Sequence, residues 1–249
     1  MGRVEEIGSN VARIRERIAD AARRGGREPS DVALIAVSKT HPPDLVEAVA
    51  AGGIRDFGEN RIQEAAEKIP RVGVPDLRWH LIGHLQRNKA RRAVQLFDLV
   101  HSLDSLRLAE ALSRVLEEEQ ATVPDAPQRL AVLLQVNLAG EEQKEGFDLA
   151  GGIRNEPAWD RFRDDVDRIV ALPWLEVRGL MTVAPYVEDA EQVRPVFRAL
   201  REVRDALAER FPSAAWHELS MGMTGDFEVA VEEGATLVRV GRAIFGERR

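Results

Sequence analysis

Eight short apolar runs, each followed by a stretch of helical periodicity, constrain this chain more than any other feature of its sequence. The runs span residues 32–38, 54–58, 77–82, 97–101, 130–137, 175–181, 215–220 and 236–240. Each has strand length, and turn chemistry brackets the clearest of them, with Glu28-Pro29 before the first and Pro42-Pro43 after it. Pro43 and Asp44 open a helix whose stripe is Leu45, Val46 and Val49 and whose stop is Gly52-Gly53. Ile62, Ala65, Ala66 and Ile69 mark the next helix, and the spacing predicts others over 86–96, 104–119, 159–171 and 190–210. Ahead of the first strand, Val4, Ile7, Val11, Ile14 and Ile18 recur at helical spacing, so the first twenty-five residues read as an amphipathic helix that stops at Gly25-Gly26. Strands that alternate with helices require a parallel sheet with right-handed crossovers. Eight such units in 249 residues predict an α/β fold, a single (β/α)8 TIM barrel preceded by an N-terminal helix, with residues 1–249 forming one domain. An open doubly wound sheet is the alternative. It is weakened because no G-x-G-x-x-G follows the first strand and no G-x-x-x-x-G-K-[ST] occurs anywhere. Residues 121–128 read as a loop, and the polar, glycine-rich interval 140–157 as a loop with at most a short helix.

Composition narrows the partners. A formal net charge of -7 argues against nucleic acid and anionic membranes, which reward a basic surface. The local cluster Arg87, Lys89, Arg91 and Arg92 then reads as the solvated face of a helix. With no cysteine there is neither a disulfide nor a thiolate site. The opening residues lack the apolar core of a signal peptide, and no stretch reaches eighteen apolar residues. A soluble, cytoplasmic monomer is the expectation.

In a barrel the chemistry collects at the carboxyl ends of the strands. Lys39, at the end of the first, stands out because the chain carries only four lysines, Lys39, Lys68, Lys89 and Lys144, against thirty-one arginines. Arginine keeps its proton in a protein, whereas a desolvated lysine can act as the neutral amine that a Schiff base needs. An ion-paired lysine at a strand end is the plainer account. The other strand ends deliver Glu59 and Asn60, His80 with His84, Ser102, Asn137, Met181 with Thr182, Ser220, and Gly241 with Arg242. The seventh strand ends in Ser220-Met221-Gly222-Met223-Thr224 and runs into a helix expected to start at Thr224. The hydroxyls of Ser220 and Thr224, close approach at Gly222, and Gly241 after the eighth strand would make an anion site there. Thr224 as a simple helix cap and Gly222 as a turn residue explain the same segment without a ligand. Arg239 sits on the opposite face from Val238 and Val240, so it points into the barrel if those two pack outward. A charge there needs a partner: a buried acid, a ligand phosphate or a ring nitrogen. His80 and His84 have the spacing of a metal pair, but His80 falls on a strand and no further ligands are in register, so no metal is expected. No serine-histidine-acid order stands out, and Tyr186 reads as a loop residue.

The phrases AVSKTHP, FGENRIQE, WHLIGHLQRNK, HSLDS, VRGLMTV, LSMGMTGDFE and VRVGRAIFG, in that order, resemble the pyridoxal 5'-phosphate homeostasis proteins, the YggS/PROSC family, across nearly the whole chain. Two segments depart from the family: MTVAPY stands where it often reads M-A-I-P, and EEQKEGF replaces a more serine-rich version. The resemblance implies a barrel like the amino-terminal domain of bacterial alanine racemase, with pyridoxal 5'-phosphate (PLP) held as a Schiff base on Lys39. It implies that Ser220, Gly222, Met223, Thr224 and Gly241 form the phosphate site, with Arg239 beside the cofactor and Asn60 near its ring. Racemisation needs two groups exchanging a proton on opposite faces of the cofactor. A racemase of this type takes its second base, a tyrosine, from an additional domain, for which no room is expected after Gly241. The expected function is therefore a carrier or buffer in intracellular PLP homeostasis, with little or no turnover and transient contact with PLP-dependent apo-enzymes. A PLP-dependent racemase working from a lone barrel and a cofactor-free Schiff-base aldolase are the alternatives.

Overall fold

The structure is a computed structural model and describes residues 2–122, 128–141 and 144–246. Eight strands close into a parallel barrel: β1 (Ala33–Val37), β2 (Asp56–Glu59), β3 (Arg78–Leu81), β4 (Leu99–Leu103), β5 (Leu130–Asn137), β7 (Leu175–Met181), β8 (Glu218–Ser220) and β9 (Leu237–Val240). Each pairs with its sequence neighbour in the barrel, and β9 returns to pair with β1, so no edge is left open. The two-residue β6 (Phe147–Asp148) adds to β5 outside this ring. It lies in the 140–157 interval, which the sequence reads as loop; the 3-10 turn Gly152–Arg154 follows it. The expected loop at 121–128 falls mostly on residues outside the described ones.

Strand alternation sorts two cores. The outward residues, such as Leu34, Ala36, Val238 and Val240, join the large core between barrel and helices. Ile35, Leu99, Ala131, Leu133, Met181 and Leu237 fill a smaller cluster inside the ring. Arg239 shares the inward phase of Leu237, as the alternation predicts.

Helix α1 (Arg3–Arg24) carries the expected stripe: Ile7, Val11, Ile14 and Ile18 are all buried. It packs against α2 (Pro43–Ala51), α3 (Phe227–Glu232) and α4 (Arg242–Phe245), the elements that adjoin the loops after β1, β8 and β9. The N-terminal helix thus braces three of the segments that border the strand ends. The expected helix from Thr224 starts only at Phe227, preceded by Asp226, because the intervening residues form a turn in which the Met223 carbonyl accepts from the Asp226 and Phe227 amides. Ile14 is 1% exposed, so Ile14→Ala should destabilise the fold by about 2–4 kcal/mol through lost burial and a residual cavity. Urea denaturation measures this; a loss below about 1 kcal/mol would contradict a bracing role for α1.

Candidate functional site

A cavity of about 710 Å³ opens at the carboxyl ends of the strands, and its wall includes Lys39, Asn60, Met223, Thr224, Arg239 and Gly241. Lys39 follows Ile35 and Val37 in the inward phase of β1, which is why it faces this space and not the helix layer. The turn that carries it is held from below. Thr40 adopts a left-handed backbone (φ 66), and its amide donates to Glu64 Oε1. The buried Lys68 ammonium donates to the same carboxylate at 2.8 Å, to Glu59 Oε1 at 2.6 Å and to the Ser38 carbonyl at 2.7 Å. Ser38 Oγ donates to Glu59 Oε1 at 2.6 Å. Burial pushes the Glu59 carboxyl above its ordinary value, although the bonds from Lys68 and Ser38 oppose it. Breaking a buried pair of this kind typically costs about 3–5 kcal/mol. Glu59 therefore serves the turn and not the cavity. The sequence shows Lys68 only as one of four scarce lysines; its i,i+4 spacing from Glu64 is the signal that could have marked the anchor.

On the opposite wall, Gly222 has φ +90, and a Cβ on it would lie 2.6 Å from Ala230 Cβ and 2.9 Å from Phe227 Cα. Only glycine fits this bend. Asp226 accepts from the Met223 amide at 2.6 Å, so Asp226, and not Thr224, caps the turn. The amides of Thr224 and Gly225 have no partner among the described residues and border the cavity. Gly241 brings β9 against β1, with its Cβ position 3.2 Å from the Val37 carbonyl. Asn60 reaches the wall because Gly83 makes room: a Cβ there would sit 2.3 Å from the Asn60 carbonyl. Asn60 Oδ1 is buried and has no hydrogen-bond partner among the described residues.

Arg239 is 4% exposed and donates to Ser220 Oγ at 2.5 Å and to the Thr182 carbonyl at 2.8 Å. Both acceptors are neutral. Among the described residues no carboxylate comes within 4 Å of its guanidinium, so the buried acid that the sequence allows as a partner is not there. Burial lowers this group to about 10, against the pull of Asp226, which leaves it charged at neutral pH. Burial likewise pushes the Asp226 carboxyl up, while the Met223 amide and the Arg239 charge oppose the shift.

Six of the eight sequence-predicted residues thus meet around one space. Ser220 and Gly222 stand behind the wall: the Ser220 hydroxyl is fully buried and engaged by Arg239 and His101. His80 and His84 part company. His80 lies inside the barrel, whereas the exposed His84 places Nδ1 3.1 Å from Asp104 Oδ2 and 3.7 Å from Glu145 Oε2. Residues the sequence did not single out also join the wall, among them His41, whose ring stacks on Phe245 at 4.4 Å. Tyr186 borders the cavity with 92% of its surface exposed.

The fold and the lysine-bearing mouth define a barrel of the alanine racemase type: residues 9–249 match the family described as alanine racemase, N-terminal domain. Alanine racemase from Bartonella henselae, at 14% identity, shares the fold with a TM-score of 0.66 over 98% of this chain and 61% of its own. Closer likenesses span both chains. The pyridoxal phosphate homeostasis protein of Aquifex aeolicus is 41% identical, covering 96% of this chain and 97% of that one. Its namesake in Escherichia coli K12 is 38% identical, with 98% of each chain covered. PipY of Synechococcus elongatus, solved with PLP bound, is 37% identical with a TM-score of 0.80, covering 96% of this chain and 100% of its own. The chain belongs to the pyridoxal phosphate homeostasis protein family.

Burial, with His80 and Arg239 adding to it, holds the His101 imidazole well below the ordinary histidine range. Unfolding releases it to a value near about 6.5. The unfolded chain then binds the extra proton, so the stability from this group is complete above about pH 7 and is lost as pH falls below about 6.5, at up to about 1.4 kcal/mol per pH unit. Urea midpoints between pH 8 and pH 5 should show this decline, and His101→Gln should flatten it. An equal slope in the variant would refute the assignment.

Proposed function

We propose that this protein binds PLP in the cavity at the strand ends, as a Schiff base on Lys39, and acts as an intracellular carrier or buffer of the cofactor with little or no turnover. One observation carries the reading: a buried guanidinium without an anionic partner shares a cavity with an amine at the end of β1. The orphaned Asn60 oxygen and the two unpartnered amides fit the same ligand, which combines an anion with polar ring substituents. The names of the full-length relatives and PLP in PipY support it further.

The bound cofactor would supply an aldehyde to the lysine and a phosphate to the cavity wall. The residues divide the work by chemistry. Lys39 holds the aldehyde end, and the Glu59, Lys68 and Glu64 anchor keeps its turn in place. Met223, Thr224 and Gly225, with Gly241 opposite, present backbone to the phosphate, and Gly222 allows the bend. Arg239 would meet the ring end of the cofactor as a donor, and a guanidinium beside a ring nitrogen would disfavour protonation of that nitrogen and weaken carbanion chemistry. This residue and the 92% exposure of Tyr186 favour storage over racemisation. The partners in this reading are PLP and, transiently, apo-enzymes that need it, with the protein acting as a monomer. Among the described residues no helix is long and apolar enough to cross a membrane.

Incubation with PLP should produce a visible absorption band, and borohydride reduction should place the label on the peptide containing Lys39; a label elsewhere would sink the reading. Lys39→Ala should abolish the band. Arg239→Gln should weaken binding about 10- to 100-fold, consistent with about 1.5–3 kcal/mol for a charge-assisted hydrogen bond. In deuterated solvent, no amino acid in a broad panel should gain deuterium at the α carbon at an enzymatic rate; incorporation would favour the racemase.

A further inference from the structure

Behind the cavity wall a line of polar side chains runs through the barrel towards its other mouth. Arg239 Nη1 meets Ser220 Oγ at 2.5 Å, and Ser220 Oγ meets His101 Nδ1 at 2.8 Å. His101 Nε2 meets His80 Nδ1 at 2.9 Å, and His80 Nε2 meets Asp56 Oδ1 at 2.9 Å. Five strands contribute one residue each, and none of the five residues is more than 7% exposed. Asp56 ends the line in a second cavity, of about 550 Å³, where Arg78 Nη2 donates to its other oxygen at 2.7 Å. The bonds from His80 and Arg78 hold the Asp56 carboxyl below its ordinary value against the opposing effect of burial.

The polarity of this line follows from its ends. A guanidinium can only donate, so Ser220 Oγ accepts from Arg239; His101 Nδ1 is its other partner among the described residues and the acceptor at hand for its own hydrogen. That nitrogen is then bare, so the His101 proton sits on Nε2 and is donated to His80 Nδ1. His80 in turn carries its proton on Nε2 and donates to Asp56, whose ionised carboxylate can only accept. Arginine at one end and carboxylate at the other both fit this single direction at every link. In this polarity each ring carries a proton on Nε2 and presents Nδ1 as an acceptor. The serine, although it shares the line with histidines and an acid, lies at 0% exposure and is no nucleophile.

We propose that His101 and His80, anchored by Asp56, are positioning residues that act through Ser220 to fix Arg239 as a donor facing the cofactor cavity. This rests on the reading of the cavity as a PLP site. Without the line, the Ser220 hydroxyl is free to rotate, and the guanidinium keeps only the Thr182 carbonyl as a fixed acceptor. A serine bonded only to solvent or backbone would not give this fixed orientation. The line also explains why a barrel interior otherwise filled by Ile35, Leu99, Leu133 and Leu237 tolerates two imidazoles. Each of their ring nitrogens has a partner, so no polar atom of either ring is left unsatisfied.

Two measurements test the proposal. Nitrogen-15 NMR of histidine-labelled protein without PLP, at pH 7.5, should show His80 and His101 as neutral rings protonated on Nε2; a proton on Nδ1 of either ring would overturn the polarity. This result does not depend on PLP, so it stands apart from the outcome of the absorption assay, whose failure in the native protein would strike the functional reading alone. The second compares His101→Phe with His101→Gln. Phenylalanine breaks the line, and a folded variant should bind PLP at least tenfold more weakly with a displaced visible band. Glutamine has an oxygen to accept from Ser220 and an amide to donate to His80, and should restore affinity to within threefold and return the band. Should His101→Phe fail to fold, Ser220→Ala removes one oxygen from the same line and should weaken binding and displace the band in the same way. A folded line-breaking variant with native affinity and native band, or a glutamine variant no better than phenylalanine, would refute the positioning role.

Discussion

One charge buried inside the strand ring governs the arrangement of everything near it. The Arg239 guanidinium is almost fully enclosed and bonded only to a hydroxyl and a carbonyl. Removing a cation from water costs several kcal/mol, and neutral acceptors recover only part of that. The charge persists because it is led away on one side by the ordered dipoles of Ser220, His101 and His80 to the carboxylate of Asp56, and opens on the other side into a cavity. A site that keeps a cation without a counter-ion is prepared for an anionic or lone-pair ligand, and its binding free energy offsets the desolvation that folding left uncompensated.

The lysines divide the other half of the site between them. Lys39 faces the cavity, while Lys68 lies beneath it, neutralised by Glu59 and Glu64 and bonded to the carbonyl of Ser38. This places a compact ionic lock under a left-handed residue, Thr40, where the backbone would otherwise relax to a more populated region. The turn and its anchor thus hold Lys39 where the phase of β1 aims it. The two halves meet because β1 and β9 are adjacent, with Ile35 opposite Arg239 and Gly241 lying close against Val37. Closure of the sheet brings together residues two hundred positions apart.

Much of this was legible beforehand. The eight strands, the helix stripe Ile7 to Ile18, the inward phase of Arg239 and the glycine bend at Gly222 all follow from periodicity and backbone sterics, which are local. Sequence and structure part where a local signal has two solutions. Thr224 looks like a cap, but Asp226 takes the Met223 amide, and the helix begins later. Ser220 looks like a rim hydroxyl, but the inward phase of β8 puts it against Arg239 and His101. The line from Asp56 to Ser220 has no signal of its own in the sequence: His80 and Ser220 stand out as polar strand-end residues, but the members come from separate strands with no characteristic spacing that would join them.

The sequence by itself determined which residues face inward and which face the helices, since the two-residue period of a strand is a property of the backbone alone. It also determined that one scarce lysine stands at the end of the first strand. Only the tertiary structure decided which inward residues touch, because contact across a barrel depends on stagger and closure, which are set by the packing of all eight strands together. That packing left Arg239 without an acid, joined two histidines into a line with one direction, and set Lys39 across the same cavity from the unpartnered amides.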